Sequence, residues 1–482
     1  MICGTQLNVL RNNSLKSADT NEDLTFISNT PLSLETKDDF LLTLKRQRKL
    51  IFSSLDRRNI PDLISFRQGG FQKKIADILL TSSNEFSDVK LEAALILAGL
   101  TRMVGNARLI DLQDAIIGEL IEALRNATEK EFLCDVLLAV GFHGYSDQVR
   151  QDLFDQGLKN ILILKHSIFS EDIEVMRAIL LVLSLVFQPV PPMRLAEFEG
   201  LLPILSAALH SSDELTISYA ATAWSHLLTT SYAAPAWSHL YTGDEAGKIL
   251  ALDSSIAPTL VQLMMHSAIE VVHPALTAVG NVISGDDAMT ETMIKLQVVP
   301  SLLWLVDYPN MKIRREALFS LSNIAAGNHS HIQAVIDAGV VPRIMHFMKY
   351  WTSESNEETS LYEETSIILG NILSNGSNDQ KRYLLSEHVF EAFCDPLRNP
   401  KLLIGPGLFN EPTLRVLLDR IINLLRFAKS DFSDSKEIIS SLFKKEKVLD
   451  TLIAINTSIN SSLNVVAWSK QILDLVKELN LE

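Results

Sequence analysis

The chain has 482 residues, of which 47% are hydrophobic and only 7% aromatic, so it can bury a large core built mainly from aliphatic side chains. Its 58 acidic and 43 basic residues give a formal net charge of −15, which argues against nucleic-acid binding and favours a basic partner such as a Lys/Arg-rich peptide. Three widely separated cysteines exclude a disulfide framework and a Cys-based metal site, and no apolar run is long enough to span a bilayer.

The first 60 residues differ in composition from the rest of the chain. Residues 1–40 are polar and rich in Ser, Thr and Asn, so we predict a disordered tail there. Residues 41–60 predict a short basic helix, with the segment LKRQRKLIFSSLDRRNI at residues 44–60. Its basic residues are Lys45, Arg46, Arg48, Lys49, Arg57 and Arg58. This helix could contact the acidic body of the chain, and a solvated basic helix is the alternative.

Residues 61–480 show an internal repeat. Helix-period apolar segments alternate with Gly or polar breaks and a VVP or IAP step, as residues 273–306 and 314–348 illustrate. The reference asparagines of these two windows, Asn281 and Asn323, lie about 42 residues apart, within the range of armadillo and HEAT repeats. No strand alternation competes with this pattern. We therefore predict an all-α solenoid of about nine to ten armadillo repeats, each burying its face on its neighbours.

Each repeat has one position equivalent to Asn323. In chain order these positions hold Gly99, Gly141, Leu185, His226, Asn281, Asn323, Asn371 and Asn423. Wider intervals between them mark insertions, the first after His226, where AWSHL occurs twice. The polar segment KYWTSESNEETS at residues 349–360 predicts a surface loop, and RNPKLLIGPGLFNEP at residues 398–412 contains enough Pro and Gly to break helices.

One predicted helix, over residues 312–326, carries a polar row opposite its apolar stripe. The stripe consists of Ile313, Ala317, Leu318, Leu321, Ile324 and Ala325. Glu316, Phe319 and Asn323 lie on the other side, within about 60° of one another at 3.6 residues per turn. Glu364, Ile367 and Asn371 have the same offsets in the next repeat. Successive repeats are therefore predicted to present the same row.

The chemistry of this row suits an extended basic peptide. An Asn amide offers a donor and an acceptor, so a ladder of Asn281, Asn323 and Asn371 could bind a peptide backbone whatever its side chains. Phe319 could flank the aliphatic stem of a Lys or Arg, while carboxylates neutralise the charged heads. The carboxylates in question are Asp286, Asp287, Glu316 and Glu364. The alternative is that these asparagines only cap or bridge turns within the repeat.

The sequence lacks the spacings typical of catalytic and cofactor sites. There is no GxxxxGK[ST], HExxH, CxxC, GxSxG or strand-linked GxGxxG motif. The pairs His329 with His331 and His226 with His239 lack the further ligands that a zinc site needs. We therefore expect no enzyme activity, no metal and no cofactor.

Four motifs carry a family resemblance. PALTAVGNVISGDD, REALFSLSNIAAGN, HIQAVIDAGVVP and EETSIILGNILSNGS, within residues 256–390, resemble the armadillo repeats of importin alpha, the adaptor that binds nuclear localisation signals. The resemblance implies a right-handed superhelical solenoid that binds cargo on a concave Trp–Asn array. This chain departs from the array in its early repeats, where the Trp and Asn positions hold Leu95 with Gly99, Leu137 with Gly141, and Leu181 with Leu185. The major cargo site is therefore absent.

The resemblance to the family's minor site is closer. It implies a peptide-binding set of Asn281, Ile283, Ser284, Asp287, Thr290, Glu316, Phe319, Ser322, Asn323, Glu364 and Asn371. Residues 44–60 resemble the second half of the family's importin-beta-binding and autoinhibitory segment. These features predict an adaptor that binds Lys/Arg-rich cargo, links it to an importin-beta-type carrier and shuttles between cytoplasm and nucleus. The alternative is an armadillo scaffold that has lost classical signal binding. Neither hypothesis involves direct nucleic-acid contact or membrane insertion.

Overall fold

The computed structural model describes residues 36–57, 71–81, 86–104, 113–144, 147–187, 195–229, 253–349, 356–394, 411–430, 449–450, 452–453 and 463–479. The regular elements within these ranges are all helices, which confirms the all-α prediction. The chain divides into two compact units, Met1–Ile256 with His266–Ala278 and Ala257–Met265 with Val279–Glu482. None of the helices in these ranges is both long and apolar enough to cross a membrane.

The first unit is a stack of helices in chain order. Its helices are α1 (Lys37–Arg57), α2 (Phe71–Thr81), α3 (Ser87–Val104), α4 (Gln113–Asn126), α5 (Lys130–His143), α6 (Asp147–Asp155), α7 (Leu158–Ile168), α8 (Ile173–Val186), α9 (Leu195–Phe198), α10 (Leu202–Ala208) and α11 (Glu214–Leu227). The long helices α3, α5, α8 and α11 pack side by side in that order. Residues 178–187, the longest apolar run, are all buried in this stack.

Two further helices are α12 (Ile256–Leu263) and α13 (Ile269–Ile283). The chain passes between the units within α12, in the turn after it at Met265, and within α13. The helices of the second unit are α14 (Asp287–Lys295), α15 (Val298–Leu305), α16 (Met311–Ala325), α17 (His329–Asp337), α18 (Val340–Lys349), α19 (Asn356–Asn375), α20 (Asn378–Ser386), α21 (Val389–Cys394), α22 (Glu411–Ser430) and α23 (Leu463–Glu478).

The second unit repeats a group of two short helices and one long helix. The groups are α14–α15–α16, α17–α18–α19 and α20–α21–α22, and their long third helices α16, α19 and α22 pack in succession. Three helices in about 42 residues is the armadillo arrangement. The solenoid prediction is confirmed in each unit taken by itself. One detail was wrong: the segment predicted as a surface loop over residues 349–360 is helical from Asn356 onward.

Local sequence explains where the helices of the second unit begin. Asp286, Asn310 and Asn328 accept hydrogen bonds from the first free N–H groups of α14, α16 and α17. Ser377 and Gln380 form a reciprocal capping box at the start of α20. The caps fix where the first helix of each of these repeats starts, and Asn310 fixes the start of the third helix α16.

The turn before each second helix uses one residue with positive φ. Gly339 (φ 77°) precedes α18, whereas Gln297 (φ 63°) and His388 (φ 62°) occupy the equivalent turns before α15 and α21. A side chain in this left-handed conformation costs about 1–2 kcal/mol. The repeat fold thus imposes the turn even where the sequence has no glycine, and this fixes how α15 and α18 lie against their neighbours.

The basic helix α1 is an integral part of the first unit. It begins at Lys37 rather than at the predicted residue 41, packs against α3, and buries Phe40, Leu44 and Ile51 completely. Arg48 is also buried, with its Nε 2.8 Å from Glu92 Oε2 and its Nη1 2.5 Å from Asp135 Oδ2. Apolar side chains at helical spacing therefore fix this helix in the stack, and its central charge is neutralised internally.

Candidate functional site

Helix α16 has the two faces that its sequence predicts. All six residues of the apolar stripe are completely buried. On the other side, Phe319 is 50% exposed, and Glu316 and Asn323 are half-buried. An exposed Phe beside a half-buried carboxylate and amide is a surface that can contact a ligand.

Helix α19 presents the same arrangement and packs directly against α16. Its core side is formed by Ile368 and Ile372, both completely buried, whereas Glu364, Ile367 and Asn371 are half-buried. We call the six residues Glu316, Phe319, Asn323, Glu364, Ile367 and Asn371 the asparagine face. The face is continuous across two repeats of one unit because both helices carry the row at the same register.

Both asparagines of the face are held by the preceding repeat. Asn323 Nδ2 donates to Ser284 Oγ at 2.9 Å, and Asn371 Nδ2 donates to the carbonyl of Ser322 at 2.9 Å. Within the described residues, the Oδ1 atom of each makes no hydrogen bond. Because an amide nitrogen carries two hydrogens, one N–H and the oxygen of each side chain remain for a ligand. These bonds join successive repeats rather than turns within one repeat, and they fix the orientation of the amides.

The same bond occurs in the first unit, where the equivalent position holds histidine. His226 Nδ1 lies 3.0 Å from the carbonyl of Ser184, the residue just before the equivalent position of the previous repeat. That geometry matches the bond from Asn371 to Ser322. The reference position therefore has a structural role in both units, which the sequence pattern alone did not reveal.

Three residues of the predicted peptide-binding set are buried. Thr290 is 5% exposed and its hydroxyl donates to the carbonyl of Ile283 at 3.0 Å, while Ile283 itself is 3% exposed. Ser322 is 4% exposed and its hydroxyl donates to the carbonyl of Phe319. These side chains lie beneath the surface, so the structure places them as supports for the face. Ser284 is half-buried and accepts the bond from Asn323.

Glu364 is the carboxylate of the face whose surroundings most favour a cation. Burial raises the pKa of its carboxyl above the ordinary value, with Arg315 opposing the shift and Glu363 adding to it. Its Oε2 atom is buried and has no hydrogen-bond donor among the described residues. A buried carboxylate oxygen without a donor is costly. A Lys or Arg head from a ligand would relieve that cost.

The remaining predicted acidic and polar residues lie at the start of α14 and on α13. Asp287 is exposed and accepts a 3.3 Å hydrogen bond from Asn328, whereas Asp286 caps α14. Asn281 is half-buried on α13. Asp287 is therefore accessible to a ligand, and Asp286 is occupied by its backbone partner.

Sequence reasoning missed two cations close to these residues. Arg315 is exposed near Glu364. Arg420, on α22, lies so close to Gly370 that a Cβ atom there would fall 1.9 Å from its Nε. The missing Cβ of glycine leaves room for Arg420 in this position, and Gly370 directly precedes Asn371 on α19. The glycine of the LGN segment at residues 369–371 indicates that another group lies close by, but the sequence does not reveal that this group is Arg420.

The basic residues of α1 divide into two groups. Lys45, Arg46 and Lys49 are exposed, whereas Arg48 is buried in its ion pairs. The side chain of Arg57 and all of Arg58 lie outside the described residues. No group of three or more His, Cys, Asp or Glu that could hold a metal ion occurs in the described part of the chain.

Comparison with known proteins supports the fold. No protein-family model and no curated protein matches the chain. An engineered protein solved by the Northeast Structural Genomics Consortium is similar over 96% of this chain and 99% of its own, with a TM-score of 0.67 and 19% identity. Two designed armadillo repeat proteins, one in complex with the peptide (KR)4, match 57% of this chain with TM-scores of 0.44 and 0.45 and 20% identity. At these identities the likeness concerns the fold alone.

Proposed function

We propose that the asparagine face binds Lys/Arg-rich peptide segments of partner proteins. The observation that carries this proposal is the repetition of Glu and Asn at identical offsets on two packed helices, together with a Glu364 Oε2 atom that has no donor within the described part of the chain. The net charge of −15 adds a long-range attraction for such segments. The function is binding, with no reaction on the bound peptide.

Each residue of the face has a defined role in this proposal. The Oδ1 and remaining N–H of Asn323 and Asn371 pair with the N–H and C=O groups of an extended peptide. Glu316 and Glu364 accept hydrogen bonds from cationic heads, which are stronger than neutral ones. Phe319 packs along the aliphatic stem of a Lys or Arg.

The wider role that we propose is that of an adaptor for nuclear import. In this role the chain carries basic cargo, contacts an importin-beta-type carrier and moves between cytoplasm and nucleus. Support comes from the motifs in residues 256–390 that resemble importin alpha, and from the exposed Lys45, Arg46 and Lys49 of α1. Those three residues are the part of the predicted carrier-binding segment that is accessible on the described surface.

A second candidate function is an armadillo scaffold without a carrier. One observation favours it: α1 is held in the first unit by Phe40, Leu44, Ile51 and the ion pairs of Arg48. A carrier that needs this helix free would first have to remove it from the core. Carrier recognition through the exposed face of α1 requires no such step.

Peptide binding can be tested by fluorescence anisotropy with a labelled (Lys-Arg)4 peptide. The double variant Glu316→Gln, Glu364→Gln is expected to bind about fivefold to twentyfold more weakly than wild type at low salt, because two charge-assisted contacts are lost. Wild-type affinity is expected to fall with added salt. The control Asp337→Asn, Asp379→Asn makes the same change in net charge at exposed residues outside the face. Equal affinity in all three proteins would refute the assignment.

The two candidate functions differ in their response to a carrier. The immobilised chain can be probed with purified importin beta in the presence and absence of the peptide. If the chain is an adaptor, it retains both importin beta and the peptide. Substitution of Lys45, Arg46 and Lys49 by Glu should then abolish retention of importin beta and leave retention of the peptide unchanged. Retention of the peptide without the carrier would favour the scaffold.

A further inference from the structure

A second surface of the second unit has the features of a binding site. A depression with a volume of about 610 Å³ lies between α15 and α18, the second helices of two successive repeats. Its apolar lining is Pro300, Leu303, Trp304, Ala338 and Pro342. This size suits one or two side chains of a peptide and falls within the range of small-ligand sites. The asparagine face lies on other helices, α16 and α19.

Trp304 is the residue that marks this depression, which we call the tryptophan pocket. Its side chain is 50% exposed, and its ring packs edge-on against Tyr308 with the centroids 5.6 Å apart. A half-exposed Trp beside prolines leaves apolar area uncovered, and Trp is enriched at the centres of protein interfaces. The pocket can therefore bury an apolar side chain against a rigid aromatic wall.

The rim of the tryptophan pocket carries excess positive charge. Arg343 Nε donates to Asp307 Oδ2 at 2.8 Å, and the Arg343 guanidinium lies 5.3 Å from the ring centroid of Phe347. Arg314 stacks on the same ring at 5.0 Å, and its Nε donates to the carbonyl of Val306. Arg343 Nη2 also donates to Asp307 Oδ1, and the charge of Asp307 attracts Arg314 as well, so two guanidiniums share this one carboxylate. Arg343 is 39% exposed, so part of its donor set faces solvent.

We propose that the tryptophan pocket docks a short acidic peptide segment of a partner protein, with an apolar residue flanked by Asp or Glu. The apolar side chain packs between Leu303 and Trp304, and a flanking carboxylate binds Arg343, whose planar donors suit a carboxylate. Charge complementarity selects this occupant, because the two guanidiniums of Arg343 and Arg314 outnumber the single carboxylate of Asp307 with which they interact. The chain would then bind two partners of opposite charge on different helices of one unit.

The test uses two peptide arrays and the full-length chain. The acidic array holds hexapeptides with Leu, Phe or Trp at the two central positions and Asp or Glu at the other four. The basic array has Lys or Arg in place of Asp and Glu. Labelled wild-type protein is expected to bind members of the acidic array at least fivefold more strongly than Trp304→Ala or Arg343→Gln protein does.

Phe319→Ala is the matched control because Phe319 is also 50% exposed but belongs to the asparagine face. This variant should bind the acidic array as wild type does and bind the basic array more weakly. A failure of the tryptophan pocket proposal can therefore be distinguished from a failure of the asparagine face proposal. Three results would overturn the proposal: no acidic peptide bound, binding insensitive to Trp304→Ala, or Trp304-dependent self-association in sedimentation velocity. The last result would identify a second copy of the chain as the occupant.

Discussion

Replacing Arg48 with methionine is expected to lower the free energy of unfolding of the first unit by about 3–5 kcal/mol at pH 7. Arg48, Glu92 and Asp135 have side chains only 6%, 4% and 8% exposed. Without the guanidinium, the buried carboxylates of Glu92 and Asp135 both lose the cation that lies between them. Chemical denaturation followed by circular dichroism measures the effect.

Acid should moderate the effect of Arg48→Met. Burial raises the pKa of the Glu92 carboxyl, while Arg48 and Lys45 lower it, so removal of Arg48 favours the protonated acid further. The loss is therefore expected to be smaller at pH 5 than at pH 7. Lys49→Met, on an exposed residue of the same helix, should change stability by no more than about 0.5 kcal/mol. Equal effects of the two substitutions would show that α1 is not held by this ion cluster.

Acidification from pH 7 to pH 5 is expected to lower the free energy of unfolding of the first unit by about 2 kcal/mol as a result of His143 alone. The imidazole is 2% exposed, neither ring nitrogen has a hydrogen-bond partner among the described residues, and burial lowers its pKa to about 4. Between pH 6.5 and 4 the unfolded chain binds a proton that the folded chain does not, so stability falls as pH falls. The slope is about 1.4 kcal/mol per pH unit. Urea denaturation at both pH values measures this loss.

His143→Leu is the variant that isolates this contribution. Between pH 7 and pH 5, the free energy of unfolding of this variant should fall by about 2 kcal/mol less than that of wild type, because leucine binds no proton. The half-buried His226, whose pKa is also lowered by desolvation, keeps its share of the pH dependence in both proteins. His329→Gln, at an exposed position, is expected to behave as wild type. An unchanged pH dependence in His143→Leu would contradict this account.

The repeat and its buried stripe could be predicted because both follow from local periodicity. The six stripe residues of α16 recur at helical spacing, and each is completely buried. The start of α19 could not be predicted in this way. Residues 356–360 are polar and lack an apolar period, yet the helix includes them. Two acidic residues in its first turn, Glu357 and Glu358, favour such a start through the helix dipole.

Charge alone was an incomplete guide to α1. Phe40, Leu44 and Ile51 occur at helical spacing between the basic residues, a signal for burial that the positive cluster obscured. The ion-pair partners of Arg48, in contrast, could not be predicted from the sequence. Glu92 and Asp135 are distant in sequence, and no local pattern connects them with Arg48. Only the packing of α1, α3 and α5 brings the three charges together.

The hydrogen bonds of the asparagine positions could likewise not be predicted from local sequence patterns. Their register was visible in the sequence, but the bonds from Asn323 to Ser284 and from Asn371 to Ser322 depend on how successive helices pack. These bonds mean that an Asn→Ala change removes a structural contact together with a ligand contact. Binding tests at the face are therefore better made on Glu316, Glu364 and Phe319.

Site-specific photo-cross-linking tests the peptide-binding claim most directly. Phe319 is replaced by p-benzoylphenylalanine in one protein and Trp304 in a second, since both positions are half-exposed. With a labelled (Lys-Arg)4 peptide, we expect a saturable cross-link at position 319 that unlabelled peptide displaces, and none at position 304. No cross-link at position 319, or equal cross-linking at both positions, would contradict the assignment of the asparagine face.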